Sequence, residues 1–147
     1  MTKILPKLPK PLIAFSAVLL SLGMASATAA PNFYDDYNRA VAAAKAENKP
    51  MVVVFSATWC GPCQQMKKAV YPSAPVASYH NDFVWVYIDI DDPNNAPVVS
   101  QNNVSLIPHI SFQSASGKTI DTLKGAVMPD KFAEQLGKVQ RKTGKGS

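Results

Sequence analysis

The chain is poor in the residues that build metal centres and disulfide frameworks: 147 residues hold 2 cysteines and 2 histidines. One cysteine pair cannot staple a small fold at several places. A structural zinc site needs four protein ligands, and beyond Cys60 and Cys63 only the isolated His80 and His109 remain. Internal repeats and low-complexity tracts are lacking too, which excludes solenoids and repeat arrays. Charge is modest at 17% beside 47% hydrophobic residues, the composition of one globular domain with extensions.

The net charge of +5 belongs to the ends of the chain. Taking Lys3, Lys7 and Lys10 from the 15 basic residues leaves 12 against 10 acidic ones, or +2. Removing Arg141, Lys142 and Lys145 as well leaves 9 against 10, or −1. A domain so balanced gives no footprint for nucleic acid. The three lysines form the positive start of a targeting segment, Leu12 to Met24 its apolar stretch, and Ala25 to Ala29 its small-residue cleavage region. Residues 1–29 are therefore expected to be a signal peptide cut near Ala27 or Ala29, with an uncleaved anchor as the alternative. Either way the domain, residues 31–140, faces outside the cytoplasm, with a bacterial periplasm as its expected address. Residues 141–147 are expected to be a solvated, disordered basic tail.

The two cysteines stand three positions apart in Trp59-Cys60-Gly61-Pro62-Cys63, directly after the apolar run Met51 to Phe55. A buried strand that feeds a Cys-x-x-Cys opening a helix is the layout of a thiol–disulfide site. The free N–H groups at the helix start stabilise a thiolate at Cys60, and thiolate is the species that attacks disulfides. Cys60 is thus the expected nucleophile, exposed at the helix end, and Cys63 the resolving thiol one turn inside. Gly61 is expected to let the turn form without a Cβ clash, and Pro62 to stiffen the first helical turn. Trp59 reads either as a shield beside the site or as a core aromatic, and both tryptophans fall in the expected core. A structural disulfide across so short a loop contributes little. A second class of function stays open, a copper-binding or chaperone module with Cys60 and Cys63 as soft ligands and Met66 close in sequence.

Along the chain, a helix is expected from an N-cap at Asn32 to about Glu47, ended by Asn48-Lys49-Pro50. Met51 to Ser56 reads as a central strand buried on both faces. A helix follows from the cysteines to about Val70, and Ala74 to Tyr79 adds a further turn or two. Phe83 to Ile88 reads as a strand, Pro97 as the first turn of a short helix, and Ile110 to Gln113 with Lys118 to Leu123 as a hairpin. Pro129 opens a last helix with an apolar stripe of Phe132, Leu136 and Val139. That order implies an α/β fold with a mixed sheet of four to five strands and helices on both faces. His80 is expected to be a solvated turn residue, and Asp89, Asp91 and Asp92 a strand end and turn, since no terminal glutamate completes a calcium loop. His109 follows Pro108 and is expected to flank a strand.

The Val54 to Cys63 block, Ile88 to Asp91, Val104 to Pro108 and Gly125 before the last helix resemble the thioredoxin superfamily over about Phe33 to Val139. Within it, the Asn48 to Val52 lead-in is similar to periplasmic thioredoxin-like proteins. The resemblance implies a cis Pro108 that lays the Ile107 backbone beside the cysteines, where an extended client segment pairs as an added strand. It implies a redox-active Cys60–Cys63 disulfide, reduction of client protein disulfides, a membrane thiol transporter as electron donor, a monomer and no cofactor. The chain departs from the family at Val54, where a buried aspartate is usual, and at Tyr87, where its partner lysine is usual.

Overall fold

The computed structural model describes residues 28–144, so most of the expected leader and the last three tail residues lie outside it. Its elements run β1 (Phe33–Tyr34), α1 (Tyr37–Glu47), β2 (Met51–Ser56), α2 (Gly61–Gln65), α3 (Ala74–Ala77), β3 (Val84–Asp89), α4 (Ala96–Gln101), β4 (His109–Gln113), β5 (Thr119–Lys124) and α5 (Pro129–Lys142). The five strands form one sheet ordered β1-β3-β2-β4-β5. β1, β3 and β2 run parallel, and β4 runs antiparallel to both of its neighbours, β2 and β5.

β2 is the centre of this sheet, and every one of its residues is buried. Alternation sends Val52 and Val54 to one face and Met51, Val53 and Phe55 to the other. The first face is covered by α3, α5 and the α2 segment, through Val76, Phe132, Leu136, Met66 and Val70. The second is covered by α1 and α4, through Ala40, Ala44 and Val98. Phe132, Leu136 and Val139 are all fully buried, as the expected stripe requires. Each such side chain contributes about 1.5–3 kcal/mol.

The start of the domain differs from the expectation. Asn32 does not cap a helix; the chain first adds β1 beside β3, pairing Phe33 with Trp85. Phe33 meets the rings of Tyr71, Trp85 and Tyr87 edge-on, at 5.6 to 5.8 Å. That aromatic contact, which no local periodicity reveals, holds the segment extended. α1 then begins at Asp36, whose carboxylate accepts the Arg39 N–H at 2.7 Å.

At the far end α5 continues through Lys142, two residues into the expected tail, and Lys142 pairs with Asp121 of β5 at 3.0 Å. Gly137 sits inside that helix at a cost in backbone entropy. A Cβ there would lie 3.0 Å from the Tyr79 hydroxyl, so any larger residue would have to move that ring tip by a few tenths of an ångström. α2 passes without a break into one wide turn, Met66–Val70, closed by the Tyr71 N–H on the Met66 carbonyl. Among the described residues no helix is long and apolar enough to cross a membrane.

Candidate active site

The end of β2 delivers the cysteine pair. Ser56 and Ala57 are still buried, Thr58 and Trp59 emerge, and Cys60 then caps α2 in an extended conformation. Its Sγ accepts the Cys63 backbone N–H at 3.2 Å. Gly61 and Pro62 fill the first helical turn, where a missing N–H costs nothing. Gln64 reaches back to donate to the Ala57 carbonyl at 3.0 Å, tying helix to strand end. Cys60 and Cys63 form a disulfide with an S–S distance of 2.05 Å. The Cys60 sulfur thus sits at the helix start with an N–H pointing at it, an arrangement that lowers the cost of an anion there.

Three local expectations need correction. Cys60 is only 5% exposed, scarcely more than Cys63 at 2%, because Ala57, Ile90 and Ile107 close around the pair. Those last two residues arrive from distant parts of the chain. Trp59, read either as a shield beside the site or as a core aromatic, is 68% exposed, so the core reading falls, and its indole N–H donates to Asp91 at 2.7 Å. Gly61 has nothing within 4 Å of where a Cβ would stand and no positive φ, so the turn itself does not demand glycine.

The Ile107–Pro108 peptide bond is cis, and the Pro108 carbonyl accepts the N–H of Gly125 at 2.8 Å. Gly125 takes a φ of +85°, a conformation that favours glycine. This loop brings Ile107 against the cysteines. Trp59, Ile90, Val99, Val104, Leu106 and Ile107 line a shallow apolar groove of about 360 Å³ beside them. Leu106 is 54% exposed there. The sequence reading missed Ile90, Asp91 and Leu106, since only the fold gathers them. The exposed apolar Leu106 next to Ile107-Pro108 was the one available signal.

The sheet side of the pair is different. Val54 is 1% exposed and registers with Tyr87 on β3 and Ile110 on β4. Where an acid and a lysine were the family pattern, Ser56 Oγ and the Tyr87 hydroxyl are hydrogen-bonded instead. Lys67 holds its ammonium 4.6 Å above the Tyr87 ring.

His109 is buried at the head of β4, edge-on to Phe55 at 5.6 Å, with neither ring nitrogen bonded. Burial, and to a lesser degree the nearby Lys124 charge, holds its pKa below the usual imidazole value. His80 is not a solvated turn residue. It packs edge-on against Trp85 and donates a ring N–H to the Tyr71 carbonyl at 2.8 Å. Asp89 and Asp92 accept backbone N–H groups of Asp91 and Asn94, which is turn chemistry. Met66 is fully buried in the core beneath α2 rather than packed with the cysteines, unlike a third copper ligand.

Residues 32–115, more than half of the chain, match a thioredoxin-like family model. The chain belongs to the thioredoxin-like family. Thioredoxin H2 of Arabidopsis thaliana is 32% identical over 65% of this chain and 67% of its own length. The thiol:disulfide interchange protein DsbD of Pseudoalteromonas atlantica is 32% identical over 58% of this chain, but the match spans 15% of that much longer protein. A thioredoxin from Thermus thermophilus superposes with a TM-score of 0.70 at 24% identity, covering 79% of this chain and 92% of that one. The C-terminal domain of DsbD from Neisseria meningitidis gives 0.64 at 22% identity, covering 73% and 98%. In this thioredoxin-like chain Cys60 and Cys63 are the close Cys-x-x-Cys disulfide pair.

Proposed function

We propose that the protein reduces disulfides of client proteins outside the cytoplasm and draws its electrons from a membrane thiol transporter. The observation that carries this reading is the joined cysteine pair at a helix start, open on one side to an apolar groove beside Ile107. A groove of that kind suits an extended, partly unfolded segment that pairs with backbone and buries a side chain.

Cys60 thiolate attacks a client disulfide, so one client sulfur leaves as thiolate and takes a proton from water. Cys63 then gives up its proton and attacks Cys60 Sγ. The second client sulfur leaves, and the enzyme disulfide forms as the client becomes a dithiol. The transporter returns two electrons and two protons to the pair. Gly-Pro between the cysteines is similar to reductant thioredoxins, and the leader-like residues 1–29 support the external address.

Cys63→Ser expressed with its leader should hold clients as mixed disulfides on Cys60, recoverable from the periplasm by non-reducing electrophoresis. Recovery only from the cytoplasm would overturn the address. A reduction potential near ~−270 mV fits a reductant, whereas one near ~−120 mV would make the protein an oxidant.

A further inference from the structure

We propose that Ser56 and Tyr87 form a hydroxyl relay that carries the proton away from the Cys63 thiol, with Lys67 stabilising the thiolate left behind. This deepens the exchange reading above and rests on it. Cys63 is 2% exposed, so its thiol must lose a proton in a place that disfavours charge. Val54, buried on the face that meets α2, offers no carboxylate to take it. The residues of β2 that face α2 alternate, and the next one towards the site is Ser56. Ser56 is fully buried and immediately precedes Ala57, which packs against Cys63.

Ser56 does not end in an isolated hydroxyl. It is bonded to Tyr87, whose side chain is only half-buried and so leads from the core towards water. Lys67 stands four residues beyond Cys63 on the same side of the helical segment, and its ammonium rests on the Tyr87 ring. The proton balance closes. Cys63 gives its proton to Ser56 Oγ, Ser56 passes its own to Tyr87, and Tyr87 releases one to solvent. The thiolate electron pair forms the new bond to Cys60 Sγ, and the Cys60–client bond breaks with its pair on the client sulfur. Tyr87 and Lys67 are thus positioning groups for Cys63, not groups that touch the client.

The test mixes the full chain, reduced, with excess dithiobis(nitrobenzoate). Attack by Cys60 releases one coloured thionitrobenzoate and leaves the other on its sulfur, and release of the second reports attack by Cys63, followed by stopped flow from pH 6 to 10. Tyr87→Phe keeps the ring and loses the relay, so release should slow roughly tenfold at pH 7, with the gap closing near pH 10, where hydroxide takes the proton directly. Lys67→Met changes an exposed side chain and should move the midpoint of the profile up by roughly half a pH unit. A Tyr87→Phe profile parallel to or superimposed on that of the unaltered protein overturns the proposal, as does an unmoved midpoint in Lys67→Met. Failure of the unaltered protein to form the adduct or to release the reporter would instead sink the exchange reading itself.

Discussion

The two sides of the cysteine pair are built from opposite materials. Towards the groove stand Trp59, Ile90, Leu106 and Ile107, apolar side chains of which Trp59 and Leu106 are largely exposed. Towards the sheet stand Val54, Ser56 and Tyr87, where a hydrogen-bonded hydroxyl pair lies in an otherwise apolar core. Exposed apolar area is worth most when another molecule covers it. A buried polar pair survives only when each group satisfies the other. On the proposed function the contrast divides the work, client capture on one side beside Cys60 and proton handling on the other beside Cys63.

The largest change comes from the pair itself. Cys60→Ala should bring disulfide exchange in an insulin-reduction assay down to the uncatalysed background, because the sulfur at the helix start is gone and Cys63 alone cannot complete a turnover. Residual turnover from Cys63 alone would erase the division of labour between the sulfurs. Next on the sheet side, Val54→Asp places a carboxylate among Tyr87 and Ile110. Burial raises its folded pKa above the unfolded value, so the folded state binds the extra proton and stability falls as pH rises from about 4. A loss of about 2–4 kcal/mol at pH 7 is expected by urea denaturation. Equal stability with faster release of the mixed disulfide would mean that the site is prepared for an acid after all.

On the groove side, Leu106→Glu should raise the KM for a protein client roughly tenfold while leaving reaction with a small disulfide reagent within about twofold. Equal loss on both substrates would place Leu106 in the chemistry rather than in capture. The smallest effect concerns His109, which starts β4 right after Pro108. Its folded pKa lies below the unfolded value, so its contribution is intact above pH 6.5 and is lost as pH falls through the folded pKa. The Lys124 charge beside it opposes protonation too. His109→Phe should flatten the stability profile between pH 7 and 5, measured by denaturant melts, and a profile as steep as before would clear His109.

The continuous apolar run of β2, the stripe of α5 and the Cys-x-x-Cys at a strand-to-helix junction were legible because each is a local pattern written within about ten residues. What could not be read was set by partners far away in the chain. β1 exists because Phe33 finds Trp85 and Tyr87 across the sheet, and two residues carry no period. Cys60 is buried by Ile90 and Ile107, contributed by segments some thirty and nearly fifty positions on. Trp59, apolar by composition, turns outward because Asp91 holds its indole N–H. Gln113 went unnoticed as well. It is fully enclosed, accepts from Tyr37 at 2.7 Å and donates to Asn102 at 2.9 Å, which binds α1 and the end of α4 to β4.

Ionisation of the reduced Cys60 sulfur bears on all of this most directly. Thiolate absorbance at 240 nm, followed against pH in Cys63→Ser, reads it without any client. A midpoint near pH ~7, well under the free-thiol value of about 8.5, is the expected result. A midpoint at or above 8.5 would show that the helix start does nothing for the sulfur it holds.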